Sequence, residues 1–230
     1  EHTENLEHLI YQEVSQSWFN EDPYLDARAA KSVLWNCKHS NFESRLIKRQ
    51  DYSAVKHLVE QHKQQCEKWF ERYSTLQQNL ESIDKMPKTS QIGELSKGYS
   101  LQGENNKFIQ SRNIFELAHQ EGDLETLNSA SNIMRVSSNS GLMRPEQSVI
   151  GGDILNVERL AGITLNLLRC EKGSSYDCSP SSQKMMHNCV YIPETCGLSY
   201  PQWAEKFLTP GMKMDVEALK AYYQQNMEKP

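Results

Sequence analysis

The chain lacks the patterns that mark membrane-spanning proteins and the motif-defined enzymes. No apolar run approaches the roughly 18 to 20 residues needed to cross a bilayer, so the sequence predicts no membrane span. It contains no G-x-S-x-G nucleophile elbow, no P-loop and no G-x-G-x-x-G dinucleotide turn. The C-x-x-C motif of thiol oxidoreductases is also absent. Paired carboxylates stay open as a catalytic alternative because Asp and Glu are abundant, although no pair stands out.

Positive charge is in short supply as well. Lys and Arg number 25 against 30 Asp and Glu, which gives a net charge of -5. Proteins that bind nucleic acid gain affinity by neutralising phosphates with basic residues, and no basic stripe with interleaved aromatic residues is present. We therefore expect no nucleic-acid partner.

Cysteine is the residue type that carries most information here. The six cysteines are Cys37, Cys66, Cys170, Cys178, Cys189 and Cys196. Their even number favours disulfides over free thiols, and disulfides persist in the periplasm and outside the cell. The sequence therefore predicts a periplasmic or secreted protein whose signal peptide has been removed. Six reduced cysteines in a cytosolic protein are the alternative.

A zinc site is the other chemistry that clustered cysteines can support. The last four cysteines are separated by seven, ten and six residues, so they lack the short C-x(2–4)-C knuckle of zinc sites. His187 stands beside Cys189 but has no second histidine near it. His57, Glu60 and His62 do not form an HExxH motif, since the five-residue step turns the two rings to different faces of a helix. We therefore expect no metal and no cofactor.

Apolar residues recur at three- and four-residue steps along most of the chain, as in the stretch from Glu4 to Trp18. Three aspartates stand where predicted helices begin: Asp22, Asp123 and Asp153. Gly122 stands where a helix ends and can adopt the left-handed conformation of a C-cap. These signals predict an all-α protein, an irregular helical bundle or an array of helical hairpins braced by disulfides.

The clearest periodicity runs from Val55 to Ile83 and predicts one long helix with a heptad seam. The seam residues are Val55, Val59, His62, Cys66, Trp69, Tyr73, Leu76, Leu80 and Ile83. Such a seam usually packs against the protein's own helices, but it also serves coiled-coil partners and homo-oligomers. Its candidate interface residues are Val59, His62, Trp69, Tyr73 and Leu76. If this helix forms an antiparallel hairpin with the preceding one, Cys37 and Cys66 come within bonding range.

Composition changes after Met86, where a stretch rich in Pro, Gly, Ser and Asn begins. We interpret residues 1–86 as an N-terminal helical hairpin region that contains the long helix. Residues 87–106 are predicted to form a linker loop. Residues 107–230 are predicted to form a C-terminal helical region that carries the last four cysteines.

Two resemblances concern the C-terminal half. The turn Leu117-Ala118-His119-Gln120-Glu121-Gly122-Asp123-Leu124 resembles the corner of Sel1- and tetratricopeptide-like helical hairpins, but no second copy follows at a fixed period. The segments Leu168-Arg169-Cys170, Asp177-Cys178-Ser179, Asn188-Cys189 and Thr195-Cys196-Gly197 are similar to the paired-cysteine tail of a group of exported proteobacterial helical proteins. That resemblance implies an all-helical domain, disulfides between neighbouring cysteines and a periplasmic or secreted location. It implies no activity.

Together, these observations favour an exported, non-enzymatic helical protein that binds another protein, as a scaffold or as an inhibitor or immunity-type partner. A cell-envelope hydrolase with two catalytic carboxylates is one alternative, and a deep polar cleft would favour it. A homo-oligomer assembled through the seam is the other.

Overall fold

A computed structural model describes residues 2–14, 22–97, 103–137, 142–172, 176–225 and 227. These residues form helices, turns and loops, and no strand occurs among them, so the all-α prediction is confirmed. The α-helices are α1 His2–Val14, α2 Pro23–His39, α3 Phe42–Leu46, α4 Tyr52–Arg72, α5 Ser74–Gln78, α6 Gln91–Ser96, α7 Glu104–Glu121, α8 Leu124–Val136, α9 Gln147–Ile150, α10 Ile154–Glu171, α11 Gln183–Tyr191, α12 Tyr200–Phe207 and α13 Pro210–Gln224. No helix in this part of the chain is both long and apolar enough to cross a membrane.

The predicted helix caps are present. The side chains of Asp22, Asp123 and Asp153 each accept a hydrogen bond from a backbone N–H in the first turn of α2, α8 and α10. Gly122 ends α7 with φ of 74°, the left-handed conformation that glycine adopts at least cost. Residues 15–18, which the sequence assigns to the first helix, lie outside the described residues.

The single long helix predicted from Val55 to Ile83 is wrong. α4 ends at Arg72, α5 follows, and a 3-10 helix spans Leu80–Lys85. The break is stabilised from another helix, because the Glu13 carboxylate accepts hydrogen bonds from the backbone N–H groups of Thr75 and Leu76, at 2.8 and 3.0 Å. These are the amides that a new helix leaves without partners in its own chain, and a carboxylate is favoured at a helix N-terminus. The three- and four-residue spacing of apolar residues continues across the break, although the helix is interrupted there.

The helices divide between two compact units. Unit 1 contains residues 1–87 and 175–206, and unit 2 contains residues 88–174 and 207–230. Residues 175–206 therefore group with the N-terminal residues, whereas the sequence assigned them to the C-terminal region. Within the predicted linker, residues 91–96 form α6, whose Ile92 and Leu95 are buried. Residues 98–102 of that linker lie outside the described residues.

Unit 1 has two apolar clusters. The first brings α1 and α2 onto α5 and the 3-10 helix and contains Ile10, Val14, Tyr24, Ala27, Ala30, Leu34, Tyr73, Leu76, Ile83 and Met86. The second packs α3 and the first half of α4 against α11 and contains Phe42, Leu46, Val55, Leu58, Val59, Met186 and Cys189. α4 thus contributes one apolar face to the second cluster and continues toward the first. The buried residues His62 and Cys66 lie on α4 between the residues of these two clusters.

Unit 2 is built on α10, which has buried residues on most sides, as its apolar sequence predicted. α7 and α8 form an antiparallel hairpin at the Gly122-Asp123 corner, and α8 and α13 both pack on α10. Arg144 and Glu146 are fully buried beside them and form an ion pair.

Candidate functional site

A cavity of about 420 Å³ opens in unit 1 where α2, α4 and α11 meet the segment before α11. Carbon atoms form most of its wall. Its lining residues are Val33, Asn36, Cys37, His62, Gln65, Cys66, Trp69, Tyr176, Asp177, Ser182, Gln183, Lys184 and His187. We call it the disulfide cavity. Its volume lies within the range of small-ligand sites, which are typically apolar with a few polar groups.

The cavity is named for the disulfide in its wall. Cys37 of α2 and Cys66 of α4 are bonded, with their Cα atoms 5.4 Å apart, so the bridge predicted from an antiparallel hairpin is present. The same two residues also line a second depression, of about 440 Å³, formed by α3 and α4. The disulfide therefore stands between two openings, with Cys66 buried and Cys37 half-buried.

His62 lies one turn before Cys66 and lines both openings. Its Nδ1 is 3.0 Å from the Ser181 carbonyl oxygen, and its Nε2 is 3.5 Å from Sγ of Cys66. A carbonyl oxygen only accepts hydrogen bonds, so Nδ1 carries the proton and donates it. Burial lowers the pKa of His62, while the Ser181 carbonyl and the Asp177 charge oppose this shift. The neutral ring therefore directs the Nε2 lone pair toward sulfur.

One side of the cavity is polar and held in place by hydrogen bonds. Gln65 donates from Nε2 to Oδ2 of Asp177 over 2.8 Å, and the backbone N–H of Ser179 donates to Oδ1 over 2.9 Å. These bonds tie the segment before α11 to α4. Asp177 is the one carboxylate among the described lining residues, so this cavity does not hold the two facing carboxylates that the hydrolase alternative requires.

A shallower depression of about 660 Å³ adjoins the disulfide cavity, because Gln65, Trp69 and Asp177 line both. Its other lining residues are Gln61, Gln64, Lys68, Arg72, Ser179 and Ser181. We call it the amide-lined depression. Its three glutamines each offer donors and an acceptor, and its two cations have no acidic lining residue besides Asp177.

The remaining cysteines are oxidised too. Cys189 and Cys196 are bonded to each other, which is the pairing of neighbours that the resemblance implied. The Arg49 guanidinium donates to the Cys189 carbonyl over 2.6 Å and forms an ion pair with Asp51. Cys170 and Cys178 are also disulfide-bonded, and no described cysteine is free. In this oxidised state the described cysteines therefore offer no thiolate as a zinc ligand.

The predicted interface residues of the heptad seam are placed in three environments. Val59 is buried in the second apolar cluster, and Tyr73 and Leu76 are buried in the first. His62 and Trp69 line the disulfide cavity, where Trp69 is half-buried and stacks on Tyr73. The seam therefore packs against helices of unit 1.

Sequence reasoning did not identify the cavity, because its walls come from three separate parts of the chain. Tyr176, Asp177 and His187 belong to the segment assigned to the C-terminal region, and no local pattern relates them to α4. One signal was available, since His62 and Cys66 are four residues apart and share a helix face. A comparison of the chain with protein-family models, curated proteins and solved structures found no match.

Proposed function

We propose that this protein binds a segment of another protein, with one apolar side chain in the disulfide cavity and the adjoining main chain over the amide-lined depression. The observation that supports this most directly is the continuity of the two sites through Gln65, Trp69 and Asp177. An apolar cavity alone suits many small ligands. An apolar cavity that continues into a row of glutamine side chains suits a peptide, because each residue of a peptide main chain offers a donor and an acceptor.

The charges around the amide-lined depression indicate which charge the partner should carry. Lys68 and Arg72 are exposed cations, and both oxygens of the nearby Asp177 already accept hydrogen bonds from Gln65 and Ser179. A bound segment with an acidic residue next to its apolar side chain would place opposite charge beside these cations. The partner we propose is therefore an extended, acidic segment with one large apolar side chain.

The rigidity of the site also supports binding. The Cys37–Cys66 bridge joins α2 to α4, and the Gln65–Asp177 and His62–Ser181 hydrogen bonds join α4 to the segment before α11. A preformed site loses less conformational entropy when it binds than a flexible one. We further propose that the protein is exported to the periplasm or secreted, since its three disulfides are compatible with an oxidising compartment.

The test is selection from a library of random peptides on the immobilised full-length protein, followed by calorimetry on the selected peptides. The proposal expects peptides that pair one aromatic or large aliphatic residue with an acidic residue. Substitution Val33→Trp fills the cavity from α2 and should weaken binding by about tenfold or more, which corresponds to about 1.4 kcal/mol.

The matched control is Val136→Trp, the same substitution at a residue of α8 that is 64% exposed and belongs to unit 2. It should leave the peptide affinity unchanged. If Val33→Trp binds the selected peptides as tightly as the wild-type protein while its helical circular dichroism is intact, the cavity is not the binding site. Failure to select any peptide of this class would overturn the proposed partner.

A further inference from the structure

One cluster in the wall of the disulfide cavity could bind a metal ion, a role that peptide binding does not require. It consists of Cys37, Cys66 and His62. One ligand atom from each residue lies within 4.8 Å of the other two, and no other such group of three is found among the described residues. Two thiolates and one imidazole are the ligand set of Cys₂His zinc sites, which keep a fourth position open. In the oxidised protein the two sulfurs are bonded to each other and cannot serve as thiolate ligands.

His62 is already oriented as a metal ligand would be. A ligating histidine normally donates its second ring N–H to a carboxylate, a carbonyl or water, which fixes its tautomer and its direction. Here Nδ1 of His62 donates to the Ser181 carbonyl, so the lone pair of Nε2 faces the sulfur of Cys66. Asp177 adds negative charge nearby, which favours a cation.

One of the observed distances between ligand atoms agrees with a tetrahedral zinc site. For Zn–S of 2.3 Å and Zn–N of about 2.05 Å, a tetrahedral angle separates the sulfur and nitrogen by about 3.6 Å. The observed separation of Cys66 Sγ and His62 Nε2 is 3.5 Å. The same geometry requires the two sulfurs to be about 3.8 Å apart, a separation they can reach once the bond between them is cleaved.

We propose that cleavage of the Cys37–Cys66 disulfide by a dithiol converts this cluster into a site for a thiophilic divalent cation such as Zn²⁺. One thiolate of the dithiol attacks a sulfur of the disulfide, and the second thiol resolves the mixed disulfide. The dithiol leaves as a cyclic disulfide, and Cys37 and Cys66 receive the two electrons and two protons. Both protons leave for solvent when the thiols bind the cation as thiolates.

Access and reversibility follow from the position of the disulfide. Cys37 is half-buried, and the bridge lines two openings, so a small dithiol has a route to sulfur. Cys37, His62 and Cys66 all line the disulfide cavity, so water or a ligand group can reach a cation held by them. Exchange with a small-molecule disulfide, which accepts the two electrons and leaves as two thiols, forms the Cys37–Cys66 bond again and releases the cation, so the site is redox-controlled.

The experiment titrates the full-length protein with Co²⁺ and then with Zn²⁺, before and after reduction by a water-soluble phosphine. The phosphine takes its oxygen from water and does not compete for the metal as a dithiol would. The proposal expects one equivalent of Co²⁺ in the reduced protein, with thiolate-to-cobalt charge-transfer absorption and tetrahedral d–d bands. Zn²⁺ should displace the Co²⁺ and remove both signals. The oxidised protein should show neither.

The substitution His62→Gln tests the third ligand, because it keeps a polar side chain of similar reach and removes the imidazole. It should weaken metal binding by about tenfold or more. Removing only the hydrogen-bond partner of a metal ligand already lowers metal affinity by about this factor, so removing the ligand itself should cost at least as much. The matched control His187→Gln changes another histidine that lines the cavity and lies outside the cluster, and it should bind the metal as the wild type does.

Reduction also frees the other four thiols, so two further variants identify the pair that binds. Cys189→Ser with Cys196→Ser and, separately, Cys170→Ser with Cys178→Ser should leave the stoichiometry and the absorption unchanged. Metal binding as tight in His62→Gln as in the wild type, or binding that disappears in either double variant while the helical circular dichroism is kept, overturns the site. A reduced wild-type protein that binds no equivalent of either metal, or that unfolds and stays unfolded with metal, overturns it as well.

Discussion

The hydroxyl of Tyr223 donates a hydrogen bond to Oε1 of Glu146 over 3.1 Å in the interior of unit 2. The same carboxylate receives two N–H bonds from Arg144, at 2.9 and 3.2 Å, and Arg144 also reaches the hydroxyl and carbonyl of Ser131. Arg144 is 2% exposed, and Glu146 and Tyr223 are 0% exposed. This network joins α13 to the loop before α9 and to α8 and is almost completely shielded from solvent.

Substitution Glu146→Gln should destabilise the protein by about 3 to 5 kcal/mol, because it leaves the Arg144 guanidinium charged and buried without its counterion. Tyr223→Phe should cost about 1.5 to 3 kcal/mol, since it removes one hydrogen bond to a charged group. Urea unfolding followed by circular dichroism measures both. The matched control is Glu116→Gln, which breaks the exposed pair with Arg112 and should cost no more than about 1 kcal/mol. Equal effects at Glu146 and Glu116 would show that the buried pair is not structurally important.

Stability should fall on the alkaline side of pH 10. Burial raises the pKa of Tyr222 to about 12 and raises the pKa of Tyr223 well above its ordinary value, with the Glu146 charge adding to both shifts. Each tyrosine therefore keeps its proton in the folded protein at a pH where the unfolded chain has lost it. The contribution of these shifts to stability is complete below the unfolded pKa of about 10 and is lost as pH rises through the folded values.

The measurement is the free energy of unfolding between pH 8 and about pH 11, in the range where unfolded tyrosines ionise. Tyr223→Phe should flatten the decline. Phe115→Leu is the control, because Phe115 packs edge-on against the Tyr223 ring but does not titrate. It should lower stability by a similar amount at every pH. An unchanged slope in Tyr223→Phe would contradict the prediction.

His62 should make unit 1 less stable in mild acid. Its folded pKa lies below the ordinary value of 6.5 because burial disfavours the charged ring, so the unfolded state takes up the proton first. Stability from this group is therefore present above pH 6.5 and is lost as pH falls toward the folded pKa. His62→Gln should flatten that loss in unfolding measurements between pH 7.5 and about 5. Val59→Ala, one turn earlier on α4, should shift the whole curve down and keep its slope.

Much of the fold follows from local signals in the sequence. Asp22, Asp123 and Asp153 cap the predicted helices because a capping side chain acts within three residues of its own position. The break after Arg72 was not predictable in this way. It depends on Glu13, which is distant in sequence and reaches the backbone of Thr75 only in the folded protein.

The sequence did not predict the disulfide cavity, although it indicated that three of its lining residues lie close together. The i, i+4 spacing of His62 and Cys66 places them on one face of α4. The predicted antiparallel hairpin of α2 and α4 places Cys37 next to Cys66. Asp177 and His187 reach the cavity because residues 175–206 pack in unit 1. Several helices of the chain are amphipathic and could pack at this place. The periodicity of the sequence shows which face of a helix is buried, but it does not show which helix it packs against.

The two disulfides within unit 1 should contribute unequally to its stability. The chain-entropy model gives the bridge a stabilisation that grows with the loop it closes, and the loops span 29 residues for Cys37–Cys66 and 7 for Cys189–Cys196. The model predicts about 3.6 kcal/mol for the first bridge and about 2.4 kcal/mol for the second. Replacing both cysteines of a pair by alanine should therefore cost more at Cys37 and Cys66.

Urea unfolding of the two double-alanine variants checks this order, and both report on the same unit. The difference has a structural reason beyond loop length. Cys37–Cys66 connects α2 to α4, whereas Cys189–Cys196 closes a turn whose Cys189 carbonyl is also held by Arg49. Loss of the second bridge should therefore be partly compensated, and the combination with Arg49→Ala should cost more than the sum of the separate changes. A larger loss from the Cys189–Cys196 variant alone would show that loop closure does not control the stability of unit 1.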